Sequence, residues 1–128
     1  MLLVALDVSV ESADGASIII DGGSGNNIVI GGTVNDTITT LGGDDIILGD
    51  SGHAVFNAAE VLTYITTITP DIGGDDTIDA GDGENIVFGG FGKDRLTSGS
   101  GMDFVLGDNG NATFDDNAVL LYLTTTEH

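Results

Sequence analysis

Apolar residues recur every nine positions along most of this chain. Val29, Ile38 and Ile47 share one register, and Ile78, Val87, Leu96 and Val105 hold it further on. Each is the middle of a three-residue, strand-like segment that follows six polar, glycine-rich residues. Alternate side chains of a strand face opposite ways, so such a segment turns one side chain inward. The blocks are 13–21 (degenerate), 22–30, 31–39, 40–48 and 49–57, then 71–79, 80–88, 89–97, 98–106 and 107–115. In the outermost blocks the inward position falls on Ile20, Phe56 and Phe114.

Two segments break the rhythm. Residues 58–70 contain no glycine and no aspartate, and Val61, Thr63, Ile65 and Thr67 alternate with Leu62, Tyr64, Thr66 and Ile68. This reads as an extended excursion, either a longer strand or a side loop, that Pro70 closes. Residues 116–128 echo it. A second period of 58 residues thus overlies the first, matching Gly25 with Gly83, Asn27 with Asn85, Phe56 with Phe114 and Tyr64 with Tyr122. Residues 1–70 form the first unit and 71–128 the second. At the start, Val4, Leu6, Val8 and Val10 suit a half-buried strand over one end.

The predicted fold is all-β. It is a parallel β-solenoid with two nonapeptides per coil, interrupted by 13-residue strand-like excursions. Glycines allow the turns their positive φ. The sixth position of each block, where the strand begins, holds Asn27, Asp36, Asp45, Asp76, Asn85, Asp94 and Asp103, with Ile18, Ala54 and Ala112 as exceptions. A carboxylate there, with turn carbonyls, builds an oxygen cage of the kind calcium accepts. Alternate blocks share an edge. Asp76 should therefore lie beside Asp94, Asn85 beside Asp103, and Asn27 beside Asp45. Asp36 falls between Ile18 and Ala54, and a column of ions should end at each Ala. Asp44, Asp75, Asp82, Asp50 and Asp108 are further carboxylates, either ligands or solvated.

Charge sharpens this reading. The 128 residues carry 21 Asp and Glu against two basic residues, a net charge of -19. Such a surface repels nucleic acid and anionic membranes, and bound cations relieve its self-repulsion. With no cysteine, disulfides and thiolate chemistry are excluded. No run is long enough for a transmembrane helix, so membrane insertion is not expected. His53 and His128 are the only histidines, and no catalytic triad is recognisable, so an enzyme is not expected.

The blocks resemble the RTX (repeats-in-toxin) nonapeptide GGxGxDxUx, where U is apolar. Residues 89–97, GGFGKDRLT, fit at every specified position, and GGSGNNIVI at 22–30 departs only by Asn27. The resemblance spans 22–57 and 71–115. It implies a right-handed parallel β-roll around several Ca2+ ions. Asp36, Asp45, Asp76, Asp94 and Asp103 are then the carboxylate ligands, Asn27 and Asn85 their substitutes, and carbonyls near Gly23, Gly32, Gly81, Gly90 and Gly99 complete the sites. It also implies a secreted or surface bacterial protein in which the chain is a calcium-binding structural module that rigidifies with the ion. The alternatives are the carboxyl-terminal module of an exported enzyme, or a surface-recognition module of adhesin or ice-binding type. Thr37 and Thr39 lack matching neighbours for an ice-binding row. The apolar flanks Ile28, Ile30, Ile46 and Leu48 are either covered by the excursions, the favoured reading, or left as a sticky binding face. Open edges favour self-association or end-to-end stacking.

Overall fold

The computed structural model describes residues 7–9, 19–59, 61–68, 72–117 and 119–125. Val4, Leu6 and Val10 of the expected first strand, together with Ile18, Pro70 and His128, lie outside these. All regular elements among the described residues are strands. Two parallel sheets make a right-handed β-roll. The first sheet runs, in spatial order, through β1 (Asp7–Ser9), β3 (Ile28–Ile30), β5 (Ile46–Leu48), β9 (Ile86–Phe88) and β11 (Phe104–Leu106). The second runs through β2 (Ile19–Gly23), β4 (Thr37–Thr40), β8 (Thr77–Asp79) and β10 (Arg95–Thr97). The chain alternates between the sheets, so every coil takes one strand from each. Ile20, Val29, Ile38, Ile47, Ile78 and Val87 fill the interior with Ala80, and Leu96 packs against them.

The roll is continuous across the junction of the two units. Ile47 pairs with Val87 and Ile38 with Ile78, as if the residues between β5 and β8 were absent. Those residues, together with the strands that follow β11, form a third sheet. It is antiparallel, with order β13 (Leu120–Thr125), β12 (Gly110–Phe114), β7 (Leu62–Thr67) and β6 (Gly52–Phe56). The excursions are strand-like, as expected, but residues 49–57 and 107–115 go with them rather than adding coils to the roll. Phe56 is consequently 43% exposed instead of pointing inward, and Phe114 is buried in a separate cluster. The reason is pairing. A hairpin satisfies the backbone of β6 and β7 locally through Ala54–Ile65 and Val55–Tyr64. A lone fifth block in the roll would leave the alternating residues after it unpaired.

The hairpins lie over the outer face of the first sheet. Ile30, Leu48, Ile86 and Phe88 are buried there against Leu62, Ile65, Ala112 and Phe114. Each large side chain so covered contributes roughly 1.5–3 kcal/mol. The outer face of the second sheet is polar. Thr37 aligns with Ile19 and Thr77, and Thr39 with Asp21 and Asp79, so the threonines do have neighbours along the roll. Those neighbours are mixed and form no uniform threonine row.

Candidate metal centre

The turns stack along the two long edges of the roll, and residues of the sixth position tie successive coils together. On one edge the Asp36 N–H donates to Asp76 Oδ1 at 2.8 Å, and the Asp76 N–H to Asp94 Oδ1 at 2.9 Å. On the other, the Asn27 N–H donates to Asp45 Oδ1 at 2.8 Å, Asp45 N–H to Asn85 Oδ1 at 2.9 Å, and Asn85 N–H to Asp103 Oδ1 at 3.0 Å. The pairs Asp76–Asp94, Asn85–Asp103 and Asn27–Asp45 are therefore neighbours, as the spacing predicts. Asp36 is placed differently. Its neighbour is Asp76, because the hairpin carries Ala54 out of the roll, and the carboxylate column passes the junction without ending.

The sequence step along the ladder is 18 residues within a unit and 40 across the junction. The difference puts 22 residues into the insertion, which falls within one turn. Gly49 shows where that turn begins. A Cβ on Gly49 would strike Asp76 Oδ2, as one on Gly31 would meet Asp36 Oδ2 and one on Gly89 Asp94 Oδ2. Gly49 is thus the first residue of the Asp76 turn. Next to it, Asp50 clamps the insertion shut: Oδ1 accepts the Gly74 N–H at 2.9 Å, and Oδ2 accepts the N–H of Phe91 in the following coil.

These turns are rich in oxygen and poor in donors. The Oδ2 atoms of Asp45, Asp76 and Asp94 are buried and find no hydrogen-bond donor. Burial pushes the carboxyl of Asp76 up to about 8, Asp50 to about 7 and Asp94 to about 6, and it also raises Asp45. Repulsion within the group adds to this, with Asp36, Asp50 and Asp94 all acting on Asp76. No three carboxylate or imidazole side chains converge on one point among the described residues. A cation here must therefore take oxygens from the backbone as well. Carbonyls are at hand: a Cβ on Gly49 would also meet the Gly89 oxygen of the next coil. Gly32 and Gly90, on this same edge, take φ of 112° and 91°. The donor set fits a hard cation such as Ca2+.

The asparagines supply their own donors. Asn27 Nδ2 donates to Gly25 O at 3.1 Å, to Gly23 O at 3.4 Å and to Asp45 Oδ1 at 3.0 Å. Asn85 Nδ2 donates to Gly81 O at 3.2 Å and Asp103 Oδ1 at 3.1 Å. The Gly81 carbonyl also accepts the Gly99 N–H at 2.7 Å, and that of Gly23 the Leu41 N–H at 3.0 Å. The other carboxylates divide. Asp44 and Asp75 accept the N–H groups of Glu84 and Lys93, and Asp82 accepts that of Ser100, which lowers its pKa. Asn26 and Asn35 accept N–H groups in the same way from the coils that follow theirs, a role sequence reasoning missed. Its signal is the Asn or Asp immediately before the sixth position in the blocks 22–30, 31–39, 40–48 and 71–79.

Fold and edges together define a β-roll of calcium-binding type. The family model for the RTX calcium-binding nonapeptide repeat (4 copies) matches residues 21–55, 73–105 and 82–114. That is more than half of the chain, and the chain belongs to this family. It is a calcium-binding structural repeat module, and the family is non-catalytic. Comparison with curated proteins and with solved structures found no match. No helix among the described residues is long and apolar enough to cross a membrane.

Proposed function

We propose that calcium ions set the stiffness of this module in a secreted or surface bacterial protein, each ion joining one coil to the next. Asp36, Asp76 and Asp94, with turn carbonyls near Gly32 and Gly90, hold the tighter ions. The opposite edge, with Asn27, Asp45, Asn85 and Asp103 and carbonyls near Gly23, Gly81 and Gly99, binds more weakly. There the asparagine amides already occupy some of the oxygen cage. Residues 1–70 and 71–128 are two copies of one structural unit, and open roll edges let modules self-associate.

The observation that carries this reading is the set of buried, donor-less Oδ2 atoms on Asp45, Asp76 and Asp94. An isolated buried charge costs several kcal/mol unless it is neutralised. A divalent cation removes that cost for two coils together. Calcium titration followed by circular dichroism, with EDTA reversal, tests it. The β signal should rise with calcium and fall on chelation. A full β signal in EDTA, unchanged by calcium, would sink the reading.

A further inference from the structure

The 58-residue repeat gives most surfaces of the second unit a counterpart in the first. Ile47 of β5 is fully buried beside Val87 of β9, whereas Val105, the counterpart of Ile47 in β11, is 42% exposed. Asp50 is buried and its counterpart Asp108 is exposed. β11 and β10 pair on one side only and form one end of the roll. Their apolar end surface repeats the one that, between the units, is covered by β8 and β9.

At the opposite end the edge strands are β2 and β1. By the same repeat, β2 corresponds to β8 and β3 to β9. The near side of β9 is held by β5, with Ile47 opposite Val87. The equivalent side of β3 is held by β1, with Val8 opposite Val29. β1 therefore stands where β5 stands, and the counterpart of β5 is β11. The strand that would fit β1's place is already present at the other end of the chain.

We propose that the β10–β11 end docks a second copy of this chain head to tail, and that β1 is the strand that blocks the joint. In the joint, β11 replaces β1 against the neighbour's β3, and Val105 meets Val29. β10 adds to the free edge of β2, so that Leu96 meets Ile20 as Ile38 meets Ile78 within the chain. The Asp103 N–H reaches Asn27 Oδ1 as Asp45 N–H reaches Asn85 Oδ1. The residue 58 positions before Asp76 is Ile18, so the joint lacks one carboxylate and is weaker than the internal junction. The contact is heterologous and does not close on itself, so it yields filaments rather than dimers.

The proposal deepens the self-association reading above and is tested apart from calcium binding. Sedimentation of the full chain in calcium compares wild type, Val8→Pro, and Val8→Pro combined with Val105→Lys, with circular dichroism reporting the calcium response of each. Proline removes an N–H from β1 and loosens its pairing. Val8→Pro should associate at roughly tenfold lower protein concentration than wild type, its mass rising past two chains without a plateau. Val105→Lys should return it to monomer. A β-rich Val8→Pro that sediments like wild type overturns the proposal, as does a plateau at dimer or association that Val105→Lys leaves unchanged. Should Val8→Pro lose its β signal, the comparison is wild type against Val105→Lys at high concentration. Self-association in wild type and its loss in the variant supports the joint; equal behaviour overturns it.

Discussion

Asp36 and Asp76 are 40 residues apart in sequence and adjacent in the roll, the N–H of one 2.8 Å from the Oδ1 of the other. Within a unit the same bond spans 18 residues, from Asp76 to Asp94. The bond is thus indifferent to what lies between the two coils. A hairpin grows out of one turn, and the carboxylate column runs past its base. Asp76 sits in the middle of that column, between Asp36 of the first unit and Asp94 of the second.

Removal of Asp76 should for that reason weaken calcium binding in both units. Asp76→Ala takes away the acceptor for Asp36 N–H and the buried Oδ2. The calcium midpoint of the dichroism transition should rise roughly tenfold or more. Asp82→Ala is the control. Its carboxylate is exposed and holds only the Ser100 turn, so its midpoint should stay close to wild type. Equal shifts in the two variants would show that Asp76 has no special place in the column.

Asn85→Asp should convert a self-satisfied turn into one that needs an ion. The amide that now donates to Gly81 O and Asp103 Oδ1 becomes an acceptor facing acceptors. In EDTA the variant should lose about 1–3 kcal/mol, the usual cost of unsatisfied buried groups. In calcium it should recover and bind more ions, which calorimetric stoichiometry can count. A variant equally stable with and without calcium would mean that the Asn85 amide does not fill the cage.

How much of this was legible in the sequence depends on the range of each signal. The inward positions Val29, Ile38, Ile47, Ile78 and Val87 were readable because a three-residue strand admits one inward side chain. The neighbour pairs Asp76–Asp94 and Asn27–Asp45 followed from two blocks per coil. The fate of residues 49–57 was not readable. They keep a Gly-rich turn and a central Phe56, so their periodicity continues while their pairing changes from parallel to antiparallel. Only a partner, β7, reveals the switch. Asp50 read only as a further carboxylate, either ligand or solvated, since nothing local indicates that Gly74 and Phe91 will converge on it.

Calcium-free protein should be more stable in mild acid than in mild base. Burial holds Asp94, Asp50 and Asp76 at about 6, about 7 and about 8, against 3.8 for an unperturbed carboxyl. Between pH ~4 and ~8 the folded state binds protons that the unfolded chain has released, so unfolding becomes easier as pH rises. The stabilisation is complete below the unfolded value and is lost as pH climbs through each folded one. In EDTA the thermal midpoint should fall by roughly 5 °C or more from pH 5 to pH 8. Calcium should flatten the slope, because it replaces those protons. A midpoint that rises with pH in EDTA would rule out protonated carboxyls in the ion-free roll.

Asp50 and Asp108 offer the same substitution in two environments. They occupy equivalent positions 58 residues apart, one buried at the base of a hairpin and one exposed. Asp50→Ala leaves the Gly74 N–H without its acceptor in a buried turn and cuts the link to Phe91. At pH 6, below the point at which Asp50 itself ionises, charge relief contributes little. Urea unfolding there should show a loss of about 1–3 kcal/mol. Asp108→Ala should stay within about 0.5 kcal/mol of wild type. The hairpin amides around Gly52–Thr67 should also exchange faster in Asp50→Ala, because the carboxylate closes the ring of chain from which they project. If exchange at that base is unchanged, the clamp lies elsewhere, and the burial of Leu62 and Ile65 against Leu48 and Phe88 alone holds the hairpin to the roll.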